Sequence, residues 1–481
     1  MVRALFWKLM ERFGVQGIQF VLQLILARIL APEHYGILSM MIVFVNLANV
    51  FTQRGFNTAL IQNKDVTEED YSSVFWVTLG IALVLYAVIY FSAPAIAAFY
   101  NMQDIIIPLR VLALTLLPGA INSIQLAKVS RELDFKKVFY GSVGGILIAG
   151  IAGVAVAFMG GGLWALVVQN LLKITMPCVV MFFTVQWRPV LVCNLKRVGV
   201  LLQYGWKLLV SSLLDTLTTN IYSLVIGKKY DSGTLGYYNR GDQFPQFILN
   251  AVNGAMSSVL LPAMSANQDK QEEVKAMTKN SMVMSCYIIF PMMAGLAAVA
   301  TPLIRLLLTE KWLPAVPYLQ VNCFIYAFYT VYTCNLQAMN AVGRSDWFLK
   351  LEIIKKIYTI ALLIVAVSCF DSPMAIVMMG AVTVGLDWYV NCFPNKNLIN
   401  YSYWEQIKDI LPLMLLTALM MIIVLLVGFG CTMASLADSL TLILQVSTGV
   451  IVYLLLSVMF KPYPYRVIMK VLKDKRAARH S

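Results

Sequence analysis

Three ionisable side chains stand deep inside apolar stretches of this chain: Lys173, Asp215 and Asp387. A charge in such a place is costly and is a functional candidate by default. Arg54 lies within another apolar run, while Arg28, Arg240, Arg110 and Arg305 stand nearer the ends of theirs. Lysine meets an anion as a point charge and arginine as a planar fork. A carboxylate at that depth can carry a proton or bind Na⁺. The plainer readings are a structural ion pair or, near the end of a run, a snorkelling side chain.

Polar residues also recur at helical spacing within apolar runs. One set is Arg12, Gln16, Gln19 and Gln23, and a second is Asn46, Asn49, Gln53 and Asn57. A third is Lys207, Ser211, Asp215, Thr218 and Tyr222, and a fourth Gln243, Gln246, Asn250 and Asn253. Steps of three and four put each set on one helix face. Lipid cannot satisfy these groups, so the faces must meet protein or water. They line a hydrated chamber that binds a polar solute, or they glue helices together. Other chemistry is scarce. There are only two histidines, His34 and His480, and eight scattered cysteines without a CxxC pair. No G-x-x-x-x-G-K-[ST] phosphate loop occurs.

The elements that must position these residues follow from composition. Of 481 residues, 60% are apolar or aromatic and 13% are charged, against roughly 25% charged in a soluble domain. That excludes a disordered chain, a disulfide scaffold and a nucleic-acid module, and points to a polytopic membrane protein. Fourteen runs have the length to cross a bilayer: 14–31, 37–60, 73–99, 105–127, 138–158, 162–185, 205–227, 236–262, 280–308, 314–341, 347–369, 373–394, 408–428 and 440–460. They are too long for membrane β-strands and lack a period of two. Most of the 37 Lys and Arg residues fall on alternate loops, which places both termini in the cytoplasm and accounts for the net charge of +13. Met1 to Phe13 is basic and amphipathic and reads as an interfacial turn, without the small-x-small site of a cleavable signal. The longest loop, about 186–204, is too short for a catalytic domain.

The chain also repeats itself. Leu30-Ala-Pro-Glu-His-Tyr-Gly36 resembles Tyr230-Asp-Ser-Gly-Thr-Leu-Gly236, and Arg131-Glu-Leu-Asp-Phe135 resembles Arg344-Ser-Asp-Trp-Phe348. Both pairs join equivalent spans in the same orientation, as in parallel-repeat transporters. The expected fold is all-α: two pseudo-symmetric six-helix lobes, 1–204 and 205–400, then spans 13 and 14 over 401–460 and a basic tail over 461–481. Gly141, Gly145, Ala149 and Gly153 form a small-residue packing stripe, and Pro177, Pro245, Pro291 and Pro302 are placed to kink their spans. Glu352 and Lys356 are spaced to pair along one helix face.

Ala27-Arg-Ile-Leu-Ala-Pro32-Glu-His-Tyr-Gly36, Leu235-Gly-Tyr-Tyr-Asn-Arg240, Val259-Leu-Leu-Pro262-Ala-Met-Ser265 and Arg131-Glu-Leu-Asp-Phe135 carry a family resemblance. The chain resembles the polysaccharide flippases of the multidrug/oligosaccharidyl-lipid/polysaccharide (MOP) superfamily, most of all the Wzx-type and the teichuronic and colanic exporters. The resemblance covers the whole chain, and its motifs specify the family better than the substrate. It implies a multi-pass protein of the bacterial cytoplasmic membrane that moves an undecaprenyl-diphosphate-linked oligosaccharide outward by alternating access. It assigns Arg28, Arg54, Lys173 and Arg240 to the diphosphate and Gln19, Asn49 and Asn250 to sugar hydroxyls. Asp215 and Asp387 become candidates for the coupling ion, H⁺ or Na⁺, with no cofactor, metal or nucleic acid. The implied partners are the lipid-linked oligosaccharide, membrane lipids and other polysaccharide-assembly proteins. The rival from the same superfamily is a cation-coupled drug antiporter of twelve spans. A membrane polymerase, ligase or glycosyltransferase would be expected to show a large outer loop or an Asp-x-Asp metal site, and neither occurs.

Overall fold

The computed structural model describes residues 2–53, 60–61, 66–132, 134–265 and 270–480. Arg54 and Asn57 lie outside them. The described chain is helical and contains no strand. Its helices are α1 (Val2–Ile29), α2 (Pro32–Gln53), α3 (Glu68–Tyr100), α4 (Ile106–Ala113), α5 (Leu116–Glu132), α6 (Phe135–Phe158), α7 (Leu163–Thr184), α8 (Leu195–Lys229) and α9 (Ser232–Ser265). There follow α10 (Gln271–Ala298), α11 (Ala300–Leu308), α12 (Val316–Ala341), α13 (Ser345–Cys369), α14 (Pro373–Cys392), α15 (Asn395–Leu398), α16 (Tyr403–Met433), α17 (Asp438–Phe460) and α18 (Tyr463–His480). Over the described residues every expected span overlaps one of these helices, or a broken pair in the case of α4–α5 and α10–α11; residues 54–59 of the span 37–60 lie outside them. Ten described segments are long and apolar enough to cross a membrane. The chain is a polytopic all-α membrane protein.

It divides into two compact units, Met1–Asn239 and Arg240–Ser481. The first includes α8, because that helix packs on α2 and α3. The lobe boundary drawn from the repeat, 204/205, concerns symmetry rather than packing.

In the first unit α6 and α7 pack most closely, and the small-residue stripe explains how. A Cβ on Gly145 would lie 2.6 Å from Pro177 Cδ, and one on Gly153 would lie 2.9 Å from Gln169 Cβ. The repeat glycines are also explained by close approach. A Cβ on Gly36 would lie 1.7 Å from the Ser232 carbonyl oxygen, and one on Gly236 2.1 Å from that of Pro32. The first turns of α2 and α9 therefore touch backbone to backbone.

Each unit fastens a late segment over the N-terminus of a long helix, α3 in the first and α10 in the second. In the first unit, the 190–194 backbone donates to Ser72 and Ser73 at 3.1 and 2.9 Å, and the Trp76 indole donates to the Val190 carbonyl at 2.8 Å. Arg197 then grips Asp70 through two bonds of 2.5 and 2.7 Å. Asp70 also closes a capping box with Thr67 at the start of α3. In the second unit Gln271 donates to the Leu398 carbonyl at 2.8 Å. Lys275 pairs with Glu405 at 3.3 Å and Lys279 with Asp409 at 2.6 Å. Glu405 and Ser402 form the matching capping box of α16.

Glu352 pairs with Lys355 rather than Lys356. Lys355 is buried and has Tyr332 on its other side, whereas the Lys356 side chain is only partly buried and has no acidic partner among the described ion pairs.

Candidate functional site

A cavity of about 960 Å³ opens within the first unit, near the top of the range for small-molecule sites, roughly 300–1,000 Å³. Its walls come from α1, α2, α5, α6, α7 and α8. Helix α2 contributes Asn46, Asn49 and Gln53, three of its four stripe residues. Gln53 donates to Asn49 Oδ1 at 3.1 Å, and this amide pair lies against the bare backbone of Gly119 on α5. Next to Gly119, α5 adds Asn122 and Ser123; the Asn122 Oδ1 is buried in the wall without a protein donor. Helix α8 contributes Asp215, Thr216, Thr219 and Asn220. Thr219 and Asn220 bond back to the carbonyls of Asp215 and Thr216 at 2.8 and 2.7 Å, which fixes their rotamers. The Asp215 carboxylate is left open to the cavity.

Helix α7 brings Lys173, Ile174 and Pro177. Lys173 is part-buried and forms no hydrogen bond or ion pair with any described side chain, and it does not reach Asp215 within ion-pair distance. Its backbone lacks a helical partner as well. The Lys173 carbonyl should accept from residue 177, but proline has no N–H. No described side chain replaces that donor. One residue of this wall thus combines an ammonium donor with a carbonyl that lacks its usual helical donor.

The structure brings Lys173, Asn49 and Asp215 to this one cavity. Gln19 is part-buried on α1, whose contribution to the wall is Val15 instead, and Arg28 is exposed at the end of the same helix. Arg240 and Asn250 belong to the second unit. Arg240 is buried, bonds Gln243 and lies 5.0 Å from the Trp312 ring centroid. Asn250 is exposed on α9. Asp387 accepts a hydrogen bond from Tyr358 in the second unit. Arg54 cannot be positioned, being outside the described residues. Sequence reasoning missed Asn122, Ser123 and Ser142 of the wall, and Asn220. It also read the α8 face as 215, 218 and 222, whereas the cavity sees 215, 216, 219 and 220.

The chain matches known proteins over most of its length. Residues 25–317 match the family model described as polysaccharide biosynthesis protein. The chain is 26% identical to the teichuronic acid biosynthesis protein TuaB of Bacillus subtilis (strain 168), over 87% of this chain and 86% of that one. It is 23% identical to the lipopolysaccharide biosynthesis protein WzxC of Escherichia coli (strain K12), over 84% and 80%. Its fold is that of a solved structure of the lipid II flippase MurJ in an inward closed conformation, with a TM-score of 0.75 and 14% identity, over 98% and 100%. The chain belongs to the polysaccharide biosynthesis protein family.

Proposed function

We propose that this protein is a flippase that moves an undecaprenyl-diphosphate-linked oligosaccharide from the inner to the outer leaflet of the bacterial cytoplasmic membrane. The observation that carries the reading is the first unit's cavity. It is walled by carboxamides and hydroxyls and holds one ammonium without a protein counter-ion. Carboxamides both donate and accept, which suits sugar hydroxyls. An open ammonium suits a phosphate oxygen, and an unpaired charge in such a wall is unfavourable until an anion arrives. Asp215 adds an acceptor for further hydroxyls. Arg54, Arg28 and Arg240 stay as secondary candidates for the phosphates at other stages of passage, and Gln19 and Asn250 for hydroxyls. The reading includes about fourteen spans, both termini in the cytoplasm and the lobes 1–204 and 205–400 rocking about the substrate.

The test is complementation. In a strain lacking the gene, wild type should restore surface polysaccharide, and Lys173→Ala should not, at equal protein level. Lipid-linked oligosaccharide should accumulate on the inner leaflet. Full export by Lys173→Ala would overturn the site, and normal surface polysaccharide in the deletion strain would overturn the function.

A further inference from the structure

The segment between α7 and α8 is not helical, yet it carries the most exposed large apolar side chain among the described residues. Leu191 is 88% exposed, and Val190 beside it and Leu195 beyond it are exposed too. The backbone beneath these side chains is held firmly. Trp187 is buried against Tyr71 and Phe75 of α3, with ring centroids 6.2 and 5.9 Å away. Arg188 donates to the carbonyls of Val185 and Trp187 at 2.7 and 2.8 Å. Beyond it the strap bonds Ser72, Ser73 and Trp76 of α3. A chain fixed so closely presents its apolar side chains outward by construction.

Depth follows from the strap's partners. The apolar run of α3 begins at residue 73, and Trp76 inside it donates to the Val190 carbonyl at 2.8 Å. Val190 therefore lies level with the first turn of a membrane span, where headgroups give way to acyl chains. Ser72 and Trp76 are four residues apart, about 6 Å of helix rise. The strap thus crosses α3 rather than following it, and runs along the membrane surface. Charge points the same way. From Val185 to Val198 there are three bases, Arg188, Lys196 and Arg197, and no acid. Arg197 is held by Asp70. Lys196 is exposed, and Arg188 uses one guanidinium nitrogen on its two carbonyls; neither is in an ion pair among the described residues. Apolar side chains flanked by bases at headgroup depth are the makeup of a contact with anionic lipid.

We infer that residues 188–196 form a binding site for anionic lipid in the leaflet that borders the N-terminal end of α3, the inner leaflet in the proposed topology. Val190, Leu191 and Leu195 enter the edge of the acyl layer, and Arg188 and Lys196 meet the lipid phosphate. Because the backbone is already fixed, binding requires little further ordering of the chain. The strap leads directly into α8, one unbroken helix that carries Asp215, Thr216, Thr219 and Asn220 of the cavity wall. Lipid held at the strap therefore steadies the base of that wall. The lipid site stands apart from the flippase reading, whereas its effect on export rests on it.

Fluorescence quenching on the full-length protein in lipid nanodiscs tests it. Cys193 and Cys369 are the exposed cysteines and the other six are buried, so a Cys193→Ser, Cys369→Ser, Leu191→Cys variant takes a bimane label at position 191. Phospholipid with a nitroxide high on its acyl chain should quench that label, and aqueous iodide should not. Iodide quenching without nitroxide quenching would mean that the strap faces water or another protein, and would overturn the site. At equal content, nitroxide-bearing phosphatidylglycerol should quench more than phosphatidylcholine bearing the same group. Lys196→Gln should lower that preference about five-fold at low salt, and Lys196→Arg should keep it. Equal quenching by the two lipids before any charge is removed would overturn the anionic selectivity. In cells, Leu191→Glu should cut export several-fold at equal protein level, and full export would overturn the link to the cavity wall. A deletion strain with normal surface polysaccharide overturns the flippase reading alone, and the quenching still decides the lipid site.

Discussion

Prolines interrupt long helices in both units, and what becomes of the carbonyl each one frees differs. In the second unit Pro291 of α10 leaves the Tyr287 carbonyl without its helical donor. Tyr453 of α17 reaches in and donates to it at 2.8 Å. Tyr287 returns the link, its hydroxyl donating to Ser457 at 2.9 Å. In the first unit Pro94 of α3 frees the Tyr90 carbonyl, and Arg110 donates to it at 3.1 Å with its guanidinium 4.1 Å from the Tyr90 ring centroid. Pro177 frees the Lys173 carbonyl, and no described side chain answers. Buried backbone acceptors are nearly always paired. At Pro94 and Pro291 a side chain from another helix supplies the missing donor, whereas at Pro177, as at Pro245 and Pro412, no described side chain does. Among these, only Pro177 and Lys173 line the first unit's cavity.

Lys173→Ala should have the largest effect, removing the ammonium and abolishing export at unchanged protein level. Lys350→Ala, whose residue is exposed near the N-terminus of α13, should be nearly silent in the same assay. Pro177→Ala should come next and move two quantities in opposite directions. Restoring the helical bond lifts a penalty of about 3 kcal/mol for an interior proline, so thermal stability should rise. The carbonyl would no longer be offered, so export should fall several-fold. A stabilised variant with full export would show that the Lys173 carbonyl is not used.

The matching change in the second unit should be a matter of stability alone. Tyr453→Phe orphans a buried carbonyl and should cost about 1–3 kcal/mol, read as a lower unfolding temperature in detergent. Pro291→Ala supplies a backbone donor to the same carbonyl, so the double variant should recover much of that loss. Additive single effects would break the assignment, since a shared partner must produce coupling. The smallest effect belongs to Arg110→Ala. Its site is exposed, and the loss should be about 1 kcal/mol or less, with export retained.

These contrasts also mark what could be read from residues alone. Helix positions were legible, because a run that crosses a bilayer must be long and apolar wherever it sits. The α6 stripe was legible because small residues at four-residue steps have one main use. The α2 amides were legible as a periodic set, and the structure puts Asn46, Asn49 and Gln53 on one wall. Asn122 and Ser123 were not, being a lone doublet without a period. The α8 face was misread by a fraction of a turn, since Thr218 and Thr219 are chemically equal and only packing chooses between them. Arg110 was read as a transport candidate because its partner, the Tyr90 carbonyl twenty residues earlier, is a tertiary fact. Asp242 went unnoticed for the same reason: its partner, the Tyr326 hydroxyl that donates to it at 2.7 Å, lies 84 residues away.

The two straps fastened over α3 and α10 carry a further consequence. The docking end of α3 is acidic at Asp70 and its strap basic at Arg197, whereas α10 is basic at Lys275 and Lys279 and its strap acidic at Glu405 and Asp409. Duplicated halves translated from one message run a standing risk of cross-wiring, with an early segment closing on the later copy of its target. Opposite polarity removes the ambiguity. In a mispaired chain Arg197 would meet the like charges of Lys275 and Lys279, and Glu405 that of Asp70. Each fastener thus carries an address that only its own half can read.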